Sequence, residues 1–358
     1  MISSLGLRVL IKGAQAVLSE RKERILRLIV SDYISMASPV GSGAIARRYG
    51  LGVSPATIRN EMARLEDDGY IVRRYTSGGG IPSDKGYRYY VESLVKEEVP
   101  LMEQRMISHL FHQVERELEE WTRLAATLLA RMIPCVAIVT FPKAMETRFK
   151  HLEMVALQEF LAMLILLLRE TKLRQQLIAF DEAISQEELS SISHKLNTMF
   201  KGLTRLQVQA QSGGLSPIEQ QVKETVVNIM AGEDEQRYEE PYIQGIRHLL
   251  NQPEFASSQK MLSLMEVLES KDVVRSMLPA MLAAEGVRVI IGMENREDAM
   301  RECSVVTIQY GIPSEVSGAL GVIGPTRMPY GRAISAVRYM GSLMSDLVAE
   351  LYSGPGKQ

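Results

Sequence analysis

The chain has 358 residues, 46 % of them apolar and 23 % charged, with a formal net charge of −2. Such proportions describe a globular protein of two or three domains and exclude disordered, collagenous and disulfide-framework classes. Two cysteines, Cys135 and Cys303, stand far apart without a C-x-x-C partner, which excludes a zinc ribbon and predicts buried free thiols in a reducing cytoplasm.

Residues 1–17 read as an N-terminal extension whose apolar stretches are broken by Arg8 and Lys12, so no secretory core is expected. From Leu18 the pattern turns helical, with Ser19 as N-cap and Ile25, Leu28 and Ile29 recurring on one face until Ser38-Pro39 ends the helix. A short second helix, Gly43 to Tyr49, exposes Arg47 and Arg48. The sharpest local signal follows: Ser54 at N-cap, Pro55 at the first helical position, and a helix running to about Asp68. Ile58, Met62 and Leu65 must face inward, which turns Thr57, Asn60 and Arg64 outward with Ala56, Arg59 and Ala63 beside them. Small residues on the first turn permit close approach, and Asn and Arg supply the forked groups that read adenine and guanine edges in a major groove.

A strand at Tyr70 to Tyr75, a glycine-rich turn through Gly78-Gly79-Gly80 expected to be flexible, and a return at Ile81-Pro82 form a wing. Arg73, Arg74, Thr76 and Ser77 lie where such a hairpin meets phosphate. Ser83 or Asp84 then caps a linking helix. Between Glu20 and Glu92 twelve Lys and Arg face nine acids, so this segment is +3 and the remainder about −5. The order helix, helix, helix, wing predicts a winged helix-turn-helix over residues 18–97 that binds duplex DNA, with Arg47, Arg48, Ser54, Ala56, Thr57, Arg59, Asn60, Arg64, Arg73, Arg74, Thr76 and Ser77 as candidate contacts.

Val99 to Met132 reads as one long amphipathic helix carrying Leu110, Val114, Leu118 and Trp121. His109 and His112 lie one turn apart on it but lack a third ligand, so neither a metal nor a cofactor is expected. Apolar segments at 135–140, 151–157, 160–168 and 176–180 look like antiparallel strands, followed by a helix at 186–200. The run Phe160 to Leu168 is too short to span a membrane. Helices expected at 217–230, 242–251 and 257–269 make 204–286 a mainly helical insertion between two strand-rich parts, 98–203 and 287–352. The second part carries strands at 287–291, 304–310 and 318–323, then a terminal helix at 330–352 and a tail at 353–358. Gly321 to Arg327 lacks the spacing of a phosphate loop, and no nucleophile elbow, paired-carboxylate motif or metal set suggests an enzyme. The fold class is therefore α+β and multidomain.

The segment Ser54-Pro55-Ala56-Thr57-Ile58-Arg59-Asn60-Glu61-Met62 with Leu65-Glu66 and Gly69-Tyr70 resembles the HrcA family of heat-inducible transcription repressors. So do the wing segment from Thr76-Ser77 through Ile81 to Arg88, and a C-terminal block of Gly292-Met293-Glu294-Asn295, Cys303 to Thr307, Tyr310-Gly311 and Gly318 to Met328. The resemblance implies a GAF-like α/β domain interrupted by a dimerising insertion. It further implies a cytoplasmic homodimer that binds an inverted-repeat operator upstream of chaperone and chaperonin operons, is relieved by stress and has a chaperonin as modulator. Three positions depart from the family pattern: Gly43 and Gly80, where basic residues are expected, and Pro329, where an aspartate is expected. An alternative reading is a ligand-sensing regulator in which Glu294, Asn295 and Arg327 line a small-molecule pocket of the GAF-like domain.

Overall fold

The computed structural model describes residues 18–353 except 51, 74–78, 96, 115–116, 145–146, 169–172, 212, 236–240, 256–257, 270–285 and 314. Arg74, Thr76 and Ser77 therefore lie outside the described residues.

Helix α1 (Glu20–Met36) starts at Ser19, whose Oγ accepts from the Lys22 amide, and stops at Ala37 in the left-handed region. Helix α2 (Ser42–Tyr49) ends on Gly50, and α3 (Pro55–Asp67) is capped by Ser54 with Pro55 in its first turn, as the sequence predicts. The three helices bury Ile25, Leu26, Ile29, Ile45, Ile58, Met62 and Leu65 against one another. Burying these side chains is worth about 1.5–3 kcal/mol each before ordering costs. A hairpin of β1 (Ile71–Val72) and β2 (Ile81–Pro82) follows, and then α4 (Asp84–Glu92).

Where one long helix was expected there are two, α5 (Leu101–Gln113) and α6 (Leu118–Met132), with Val114 and Glu117 in extended conformation between them. The buried residues Ile107, Phe111, Trp121, Ala125 and Leu129 keep a single helical phase across the break, so periodicity is blind to it.

Strand β3 (Val136–Val139) leads into a second, separately packed unit, Lys143–Glu239 together with Pro313–Ser317. After the short β4 (Lys143–Ala144), this unit folds a three-stranded antiparallel meander, β5 (Phe149–Gln158), β6 (Leu161–Leu168) and β7 (Leu173–Ala179). Helices α7 (Gln186–Phe200), α8 (Arg205–Ala210) and α9 (Pro217–Glu235) complete it. Its core joins Leu152, Leu164, Leu166, Leu189, Leu196 and Val226, with Phe149 edge-on to Phe200 at 5.6 Å. The segregated unit thus begins near 143 and ends near 239, where the sequence placed an insertion at 204–286. The reason is that the 149–179 meander buries its apolar face against α7 and α9 and pairs with no strand of the other sheet.

The first unit resumes with β8 (Tyr242–Gln244), α10 (Ile246–Leu250) and α11 (Ser258–Glu269), where a continuous helix was expected at 242–251. Tyr242 and Ile243 pair with Val139 and Ile138, and this edge pairing overrides helical preference. With β9 (Arg288–Ile291), β10 (Cys303–Ile312) and β11 (Val316–Pro325) the sheet runs β8-β3-β11-β10-β9. The terminal helix α12 (Tyr330–Ser353) buries Ala333, Val337, Met340 and Met344. Pro329 sits at its N-cap position, its carbonyl accepting from Ala333 N at 2.9 Å. No helix among the described residues is long and apolar enough to cross a membrane.

Candidate nucleic-acid interface

The face of α3 opposite its buried stripe is polar and exposed. Ala56, Arg59, Asn60 and Arg64 are exposed and Thr57 is half-buried. Ser54 is engaged locally: its Oγ accepts from Thr57 N at 3.1 Å and lies 3.0 Å from Thr57 Oγ1. The cap occupies the Thr57 amide, Pro55 has none and the Ile58 amide bonds the Ser54 carbonyl at 3.1 Å, so the first-turn amide left to meet an anion is that of Ala56.

The candidate cations fall into two groups. Arg47 and Arg59 are exposed and have no ion-pair partner among the described residues. Arg64 is 66 % exposed, with only a long contact of 3.7 Å to Glu61 Oε1. Arg48, by contrast, pairs with the buried Asp32 at 3.0 Å, and Tyr49 donates its hydroxyl to the same carboxylate. The hydrogen bond to Asp32 raises Arg48 further above the usual arginine range. Arg73 is held in the same way. Its side chain is 8 % exposed, its Nε donates to Glu66 Oε2 at 2.7 Å, and its backbone amide donates to Glu66 Oε1 at 3.1 Å.

The expected flexible turn is packed where it is described. Gly80 exchanges backbone hydrogen bonds of 3.0 and 2.9 Å with Val40, and a Cβ on Gly79 would lie 2.5 Å from the Pro39 carbonyl carbon. Glycine is required here for close approach. Gly80 is itself buried under Ile71 and Met62, so position 80 faces the interior. A Cβ at Gly43 would meet only Arg47 Nη1, at 3.5 Å.

One cation was counted by sequence reasoning but not located. Arg21, at the start of α1, stands beside α3 with its Nη1 3.9 Å from the Glu61 carboxylate that Arg64 also approaches. No local motif could have found it, because the packing of α1 on α3 makes the neighbourhood.

The residues considered for a ligand pocket are committed to protein partners. Glu294 pairs with Arg88. Asn295 is buried and donates to the carbonyls of Gly292, Met300 and Cys303. Arg327 donates to Glu254 Oε1 at 2.5 Å and to Gln252 Oε1 at 2.6 Å. His112 hydrogen-bonds the Ser108 carbonyl and His109 pairs with Gln113, which leaves neither facing a shared ligand.

Residues 119–334 match the family model described as HrcA protein C terminal domain. A heat-inducible transcription repressor HrcA of Dehalococcoides mccartyi is 47 % identical over 339 residues, covering 95 % of this chain and 98 % of its own. The protein of the same name in Roseiflexus sp. is 42 % identical over 350 residues, covering 95 % and 97 %. A crystal structure of a hypothetical protein shares the fold with a TM-score of 0.54 at 23 % identity, covering 92 % of this chain and 97 % of that one. A mixed α/β chain with relatives so named is a transcription repressor, a regulatory protein and not an enzyme. The chain belongs to the HrcA family of heat-inducible transcription repressors.

Proposed function

We propose that residues 18–97 are a winged helix-turn-helix and that this chain, as a homodimer, uses it to bind an inverted-repeat operator upstream of chaperone and chaperonin operons. Repression is relieved by stress and modulated by the chaperonin, and a protein acting on the chromosome works in the cytoplasm. The observation that carries the reading is the polar outer face of α3, where Ala56, Thr57, Arg59, Asn60 and Arg64 surround a capped, proline-started first turn. Two such helices related by a two-fold axis meet half-sites separated by about 34 Å or a multiple of it.

Arg47, Arg59 and Arg64 are assigned to DNA, while Arg48 and Arg73 act by positioning the helix and the wing. The sheet β8-β3-β11-β10-β9 with α6 and α12 is read as the GAF-like domain, and the unit around β5 to β7 as the dimerising insertion. In its favour, Val155, Met163 and Leu177 stand directly opposite one another on the outer sheet face, with His151, Leu167 and Leu173 in a parallel row. Val155 is 41 % and Leu177 56 % exposed. Between these rows Glu153 and Gln175 flank Ile165, so the face is mixed apolar and polar, a composition that a two-fold axis can pair with itself. The test is binding to an inverted-repeat duplex from upstream of a chaperonin operon against a scrambled competitor, with and without chaperonin. Equal affinity for both duplexes refutes the reading.

A further inference from the structure

The contact between α4 and the loop after β9 contains more directed hydrogen bonds than apolar packing requires. Ser83 already caps α4 by accepting from Gly86 N at 3.1 Å, so Asp84 is free of that role. Its Oδ2 accepts instead from Met293 N at 2.8 Å, across 209 residues of sequence. One turn later Arg88 donates Nε to Glu294 Oε1 at 2.9 Å and Nη2 to the Val289 carbonyl at 2.8 Å. Between them Tyr87 packs on Tyr330 at 5.9 Å. Residues i, i+3 and i+4 of one helix thus present a single face to the sheet domain.

The receiving loop is shaped for this contact. Glu294 also accepts from Ile291 N at 2.9 Å, which fixes the carboxylate that Arg88 grips. Gly292 has φ +49°, and a Cβ there would lie 2.2 Å from Asp84 Oδ2. Its glycine character serves the approach of α4. The described backbone between α4 and α5, 94–95 and 97–100, is irregular, and beyond the α4 face Arg327 Nη1 reaches the Ile34 carbonyl of α1 only at 3.4 Å.

We propose that this contact fixes the orientation of the reading helices on the sheet domain, which makes Asp84, Arg88, Gly292 and Glu294 positioning residues that set the half-site separation the repressor accepts. The inference rests on the reading above, a dimer on an inverted repeat. Each inserted base pair turns the second half-site by about 34° and moves it by about 3.4 Å. A rigidly attached module meets that displacement as lost contacts, whereas a hinged one follows it.

The test uses the full chain and the inverted-repeat duplex that wild type enriches from a randomised pool, rebuilt with the spacer changed stepwise by single base pairs. Wild type, Arg88→Gln and Glu294→Gln are compared; glutamine at 294 keeps an acceptor for Ile291 N. Wild type loses about tenfold in affinity per changed base pair, a coupling of ordinary size, and the variants about twofold. All three discriminate equally against base changes within the half-site. Failure of wild type to enrich any inverted repeat overturns the reading of function itself. A spacing preference shared by wild type and both variants overturns this inference alone, as does loss of base discrimination together with spacing, which marks a damaged reading helix.

Discussion

Arg73 lies folded against Glu66, its Nε 2.7 Å and its backbone amide 3.1 Å from the two carboxylate oxygens. The pair ties the last turn of α3 to the strand that leaves it, so the direction of the β1–β2 hairpin is coupled to the pose of the helix. Charge-assisted bidentate pairs with restricted exposure are among the stronger side-chain contacts.

From this geometry, Arg73→Ala and Glu66→Gln both weaken operator binding while leaving its salt dependence unchanged. Arg47→Ala, which removes an exposed cation, lowers the slope of log K against log salt by about 1. Titrations at several salt concentrations separate the two behaviours, and a shallower slope for Arg73→Ala refutes its positioning role.

Arg59 and Asn60 carry base readout on the proposed face. Arg59→Ala or Asn60→Ala costs about 1–3 kcal/mol of operator affinity and relaxes discrimination at the bases touched. Competition with single-base operator variants measures both effects. Unchanged affinity for either variant moves the reading face elsewhere.

Leu177 stands opposite Met163 on the exposed face of the meander. Leu177→Glu puts a charge at the β7 end of the Val155, Met163, Leu177 row and weakens dimerisation at least about tenfold, while the monomer stays folded because the side chain is exposed. Light scattering over a concentration series reads the mass directly. An unchanged dimer removes this sheet from the interface.

Burial pushes both thiols up to about 12, Cys135 against a small opposing effect of the Arg327 charge. Native protein therefore resists alkylation at mildly alkaline pH and reacts once denatured. The folded values lie above the unfolded ones, so no stability is lost below about pH 9, and above it each thiol lowers stability by about 1.4 kcal/mol per pH unit. Equilibrium denaturation across that range checks the sign, and Cys135→Ala removes part of the slope.

Much of the candidate interface was legible because its signals are local. Ser54, Pro55 and the Ile58, Met62, Leu65 stripe define α3 within its own turns, and the outward set follows from helical geometry alone. Helix α7, expected at 186–200, likewise starts on a signal held within one turn, the capping box of Ser185 and Glu188. Helix type, caps and inward faces were thus determined by the sequence itself, because each depends on residues within a turn or two.

Tertiary structure alone decided which cations are free. Arg48 and Arg73 look like Arg47 and Arg59 until Asp32 and Glu66 are brought beside them. Long-range contact also decided the extent of the segregated unit, the strand at Tyr242–Gln244, the buried place of Gly80, and the grip of Arg88 on Glu294, 206 residues away. In each case the deciding interaction is a hydrogen bond or close packing with a distant partner, and periodicity along one element carries no information about that partner.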